Sequence, residues 1–233
     1  MASSQAGAVV GPIEAVAARM AEIGGPLEPN DGVRRFNEMY LAVTLAVAKQ
    51  VAETGYERPR FMSRLDVVFA DLYFDAVADA AASKTPPRAW APLFEARSRK
   101  GIAPLQFAIA GMNAHINHDL ALALVATAKE FKVKLIRNTP HHRDFTSVDG
   151  LLARVQDEIK EKFTTGVMRD IDRKGGRLDD LLANWSMQHA RDNAWTQAQT
   201  LSALGGSRLL REQFLVAMGR TVGFTGRALL TPL

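Results

Sequence analysis

The sequence of 233 residues contains no cysteine. That absence excludes disulfides, Cys-ligated zinc, iron–sulfur clusters and a thiol nucleophile. No stretch has the strict apolar–polar alternation of a half-buried strand, and there is no internal repeat or low-complexity segment. No basic amino-terminal region leads into an apolar core of signal-peptide length, and with the missing cysteine this sets the expectation of a cytoplasmic protein. Phosphate-binding glycine loops, dinucleotide fingerprints and nucleophile elbows are also missing. The net charge of +4 and pI of about 9.5 are mildly basic. No dense Lys/Arg run is interleaved with aromatics, so nucleic acid is not an expected partner.

What is present is an apolar fraction of 47% with 23% charged residues, enough for a sizeable core and too balanced for disorder. The apolar residues recur at helical spacing. The reading is an all-α, single-domain bundle of about seven to eight helices spanning 1–233, with 1–10 as a flexible tail. Pro12 is expected to open a first short helix with Ile13, Val16, Met20 and Ile23 inward, stopped by Gly24–Gly25–Pro26. Asn30 or Asp31 caps a second helix, to about Thr54. Pro59 starts a third, to about Ser83, and a brief helix follows around Trp90 to Ser98. Pro104 opens the most apolar segment, a central helix over about 102–130. Residues 132–146 read as irregular, with Thr146-x-x-Asp149 as a helix-start box. Three further helices are expected: one to about Arg173, one over Leu178 to Leu204, and one from Ser207 to about Leu230.

The central helix is apolar on every side, which places it in the middle of the domain. Asp119 is its only formally charged residue between Gly101 and Ala128, and His115, His118, Asn113 and Asn117 surround it. Those polar groups argue against a membrane span. His115, His118 and Asp119 lie three and four residues apart, on one face. A buried carboxylate is costly unless it is paired or metal-bound. Three readings remain open: a structural His–Asp pair, ligands of a divalent metal, or an acid–base dyad in which the carboxylate fixes the imidazole tautomer. Asp66 is the acidic residue of the third helix expected to face inward, whereas Asp71 and Asp75 read as solvated. His141 and His142 are expected on a loop, and His189 on a helix face. Arg177-Leu-Asp-Asp-Leu superficially suggests a diphosphate-binding Asp pair, but Asp is ordinary at a helix start.

Three segments carry a family resemblance: Arg35-Phe36-Asn37-Glu38-Met39-Tyr40; Leu65-Asp66-Val67-Val68-Phe69-Ala70; and Asn113-Ala114-His115-Ile116-Asn117-His118-Asp119-Leu120, followed by Asp144-Phe145. They resemble an uncharacterised all-helical family frequent in actinobacteria. The resemblance implicates His115, Asn117, Asp119 and Asp66 first, and implies no established activity. A fainter similarity is to helical zinc-dependent phospholipases, which also use His-x-x-x-Asp on a buried helix, but this chain lacks their full set of histidines. The leading expectation is a small-molecule enzyme with His115, Asp119 and Asn117 catalytic. A metal set of His115, Asp119, His118, Asp66 and His142 would hold one divalent ion (zinc, iron or manganese) for hydrolysis or for carbonyl or phosphoryl activation. The first alternative is a metal-free acid–base cyclase or isomerase of specialised metabolism. The second is a non-catalytic ligand-binding or structural bundle.

Overall fold

The computed structural model describes residues 2–155, 157 and 186–232, and every regular element among them is helical. Helix α1 spans Ala2–Gly24 and α2 spans Gly32–Thr54. Pro12 does not open α1 but lies inside it, where its missing N–H removes one backbone bond. Asp31 caps α2 by accepting from the Val33 N–H at 2.8 Å, and Arg97 holds the other Asp31 oxygen at 2.6 Å. Gly55 ends α2 with φ of 71°, a left-handed conformation that glycine adopts without strain. Helix α3 spans Pro59–Ala81 with Pro59 in its first turn. Its leading amides are capped from a distance: Asp144 accepts from the Glu57 and Arg58 N–H groups at 2.9 and 2.6 Å. The short α4 spans Ala91–Ala96.

The central rod is α5 (Pro104–Ala114), a π-helical turn (His115–Asp119) and α6 (Leu120–Phe131). All of α5 after its first residue is buried, as an all-round apolar helix requires. Helices α2, α3 and α4 pack against this rod. Gly111 permits the approach of α2: a Cβ there would sit 2.3 Å from the Phe36 ring, inside any contact distance.

Residues 132–146 are not wholly irregular. Helix α7 spans Pro140–Ser147, with Thr139 as its cap and Pro140 in its first turn. The helix-start signal is Thr139-Pro140 rather than Thr146. Thr146 lies within α7, with its hydroxyl bonded to the His142 carbonyl at 3.1 Å. The chain is helical again over 149–155. Helices α8 (Met187–Ala203) and α9 (Arg208–Leu229) are capped by Ser186 and Ser207 and joined by one 3-10 turn, and both pack on the central rod. The expected helix end near Arg173, the Arg177-Leu-Asp-Asp-Leu segment and the start of the next helix at Leu178 lie outside the described residues. No described helix is long and apolar enough to cross a membrane.

Candidate functional site

The central polar cluster sits on the π turn. Leu120 N–H reaches back five residues to the His115 carbonyl, widening the helix there. A wider turn brings residues four apart closer to vertical alignment, and such turns recur at functional sites. His115 is 0% exposed and Asp119 2%. Asp119 accepts three hydrogen bonds: Oδ2 from Trp90 Nε1 at 2.8 Å and from His115 Nδ1 at 3.2 Å, and Oδ1 from His118 Nδ1 at 2.7 Å. Burial alone would raise the Asp119 pKa, but the bonds from the two histidines offset it and hold the pKa below the ordinary value. Burial lowers the His115 pKa, and the Asp119 carboxylate only partly counters that. The stable pairing is therefore a neutral imidazole donating Nδ1–H to a carboxylate. The ring is fixed from both sides. Phe69 stacks on it at a centroid distance of 3.6 Å, and Tyr40 meets it edge-on at 4.5 Å.

With Nδ1 committed, Nε2 is the free nitrogen of His115. It is buried and has no hydrogen-bond partner among the described residues. His115 lines a cavity of about 80 Å³, space for several water-sized bodies. The wall is mostly apolar and comes from α1, α2, α3, the central rod, the α7 region and α8. Asp66 lines the same cavity, and its Oδ2 is likewise buried without a partner. Burial raises its pKa to about 7, with Arg191 pulling slightly the other way. Tyr40, Tyr56 and Arg191 also face this space, and neither tyrosine hydroxyl is bonded to any described residue. Burial raises the pKa of both tyrosines, so both are neutral phenols.

The remaining expected residues go elsewhere. Asn117 is not on the cavity wall: its Nδ2 donates to Asn113 Oδ1 at 3.2 Å, and Asn113 in turn donates to the Val222 carbonyl at 3.0 Å. This chain ties the central rod to α9. His118 also faces α9, beside Gly219. His142 is on α7 rather than a loop, packed edge-on against Trp195 at 4.8 Å. His141 packs against Phe61 at 4.8 Å, and His189 is exposed. Asp71 and Asp75 are exposed, as expected.

Among the described residues, no three His, Cys, Asp or Glu side chains are grouped so as to hold a metal ion. For one expected pair the distance gives a reason. Two ligands on one tetrahedral zinc, each about 2.1 Å from it, lie about 3.4 Å apart. His118 Nδ1 and Asp119 Oδ1 are 2.7 Å apart, a hydrogen-bond distance. His142, spent on Trp195, is not among the residues of the cavity wall.

Reading residue types alone missed Tyr40, Tyr56, Trp90 and Arg191. Tyr40 was visible only as the end of a segment that carries the family resemblance. Arg191 stands four residues after Met187, which also lines the cavity, and that spacing was its one signal.

Residues 13–232 match DUF5995, a family of unknown function, and the chain belongs to that family. This agrees with the resemblance to an uncharacterised family and supplies no activity. No curated protein and no solved structure matches the chain.

Proposed function

We propose that the cavity is a metal-free acid–base site for a small, largely apolar molecule carrying oxygen. The observation that carries this reading is the pairing of two orphaned polar atoms, His115 Nε2 and Asp66 Oδ2, in one apolar cavity. Several buried polar atoms among the described residues lack partners, but these two share one cavity wall, where a single polar ligand would satisfy both, and that favours a ligand over a purely structural role. Their protonation preferences are complementary. Neutral His115 offers a lone pair at Nε2, fixed in that tautomer by Asp119. Asp66 keeps its proton up to near neutral pH and offers an acid.

The chemistry that follows is proton relocation. His115 takes a proton from a carbon beside a carbonyl, while Asp66 gives its proton to the carbonyl oxygen. Where a carbon–carbon double bond is conjugated with the enol, the imidazolium returns its proton at the far carbon of that system and the oxygen returns its own to Asp66, so the sum is a double-bond isomerisation. Asp119 and Trp90 act as positioning residues, because neither lines the cavity. Metal-assisted hydrolysis has less support, since among the described residues no three of the expected ligands are grouped so as to hold an ion.

The test uses apolar ketones shown by calorimetry to bind, incubated with the protein in deuterium oxide. Wild type is expected to exchange the protons beside the carbonyl, and His115→Gln and Asp66→Asn to bind without exchanging. Bound ketones that wild type leaves unexchanged from pH 6 to 8 would contradict a catalytic role and leave a binding cavity.

A further inference from the structure

Among the described residues the cavity has one permanently charged group on its wall, Arg191. It is 9% exposed and heavily restrained. Nε donates to Asp149 Oδ1 at 2.8 Å, Nη2 donates to the Phe145 carbonyl, and the guanidinium lies 4.2 Å from the centre of the Phe145 ring. Two of its three nitrogens and one of its flat faces are thereby used. Nη1 has no partner among the described residues. A guanidinium tie between α8 and the α7 region needs only the bonds already made. The unused Nη1 is a fixed donor on a cationic group, the geometry that suits a carboxylate. Tyr56 and Asp66 line the same cavity as Arg191. Tyr40, packed on the His115 ring, lines it as well.

We propose that the ligand is an apolar monocarboxylate whose acid group binds Arg191 Nη1 and the Tyr56 hydroxyl, with its hydrocarbon body lying along the wall toward His115. This rests on the acid–base reading for the identity of the reacting end but not for the anchor. The alternative ligand, a neutral molecule held by apolar contact alone, would make no use of the free guanidinium edge. Tyr56 strengthens the assignment because a neutral phenol donates to a carboxylate and adds no opposing charge. Asp66, uncharged below about pH 7, adds none there either.

The experiment is calorimetry at pH 6 with two probes of equal chain length, octanoate and 1-octanol. Wild type is expected to bind octanoate at least tenfold more tightly than the alcohol. Arg191→Gln should erase that preference. Because this change also loosens the ties to Asp149 and Phe145, Tyr56→Phe serves as the second variant. It removes one oxygen and leaves the ties intact, and should reduce octanoate affinity severalfold with little effect on the alcohol. Equal affinity for the two probes in wild type, or preference for the alcohol, would overturn the anchor while leaving the acid–base site standing. Binding of neither probe would overturn it too. A preference for octanoate that persists undiminished in both variants would place the anion elsewhere and equally defeat the assignment.

Discussion

Replacing Asp66 with Asn should stabilise the folded protein, and more so as pH rises. The side chain keeps its shape and loses only the capacity to ionise. An unfolded Asp releases its proton near pH 3.9, while folded Asp66 holds it to about pH 7. Between those values the unfolded chain binds fewer protons than the folded one, so wild-type stability falls as pH rises through that window. Fully expressed above pH 7, a displacement of that size is worth about 4 kcal/mol at 1.36 kcal/mol per pKa unit. Water entering the cavity reduces it, and a realistic figure is roughly 2–3 kcal/mol. The assay is urea unfolding of wild type and Asp66→Asn at pH 5 and pH 8. The advantage of the variant should grow by on the order of 2 kcal/mol between the two. A variant equally or less stable than wild type at pH 8, with no pH dependence in the difference, would show that Asp66 is ionised at no cost. That would remove the acid from the proposed site.

Asp119→Asn should behave in the opposite way. Three donors converge on Asp119, and an asparagine offers one oxygen and sets an amide against the remaining donor. The expected loss is about 2–4 kcal/mol, combining an orphaned donor with a lost charge-assisted bond, and thermal melting measures it. A melting temperature unchanged from wild type would mean the triad of bonds contributes nothing. Gly111→Ala should cost about 1–3 kcal/mol by overpacking, because the new methyl would meet the Phe36 ring at 2.3 Å. Denaturant melts read it, and a neutral result would mean that α2 and the central rod separate freely. Tyr40→Phe should leave stability within about 0.5 kcal/mol of wild type, since its hydroxyl has no partner to lose.

The all-helical class and the central rod were legible because they depend on periodicity. A segment apolar on all sides can only be buried, and one Asp within it had to be paired, so the His115–Asp119 contact could be read from spacing. The π turn could not, because nothing in residue identity distinguishes it from an α-helical turn; it depends on how the rod packs. The resemblance put Asn117 at the site and spacing put His118 there; Asn117 turns toward α9, while His118 bonds Asp119 and meets α9 beside Gly219. Spacing along one helix says which residues share a face, not what stands opposite that face. His142 illustrates the same limit: it was expected on a loop because 132–146 read as irregular, but Thr139 and Pro140 start a helix there that presents it to Trp195. Arg191 and Tyr56 are far from His115 in sequence, and only the folded chain brings them to one cavity.

The protonation state of His115 tests the central claim most directly. Nitrogen-15 correlation spectra of the imidazole, recorded from pH 5 to 8, report the charge and tautomer of each histidine. The expected spectrum for His115 is a neutral ring with the proton on Nδ1 at pH 7, persisting below the ordinary histidine pKa of about 6.5, because burial disfavours the charged form. Its Nε2 signal should shift when a ligand enters the cavity. A cationic ring at pH 7, or a proton on Nε2, would remove the base from the cavity and contradict the account.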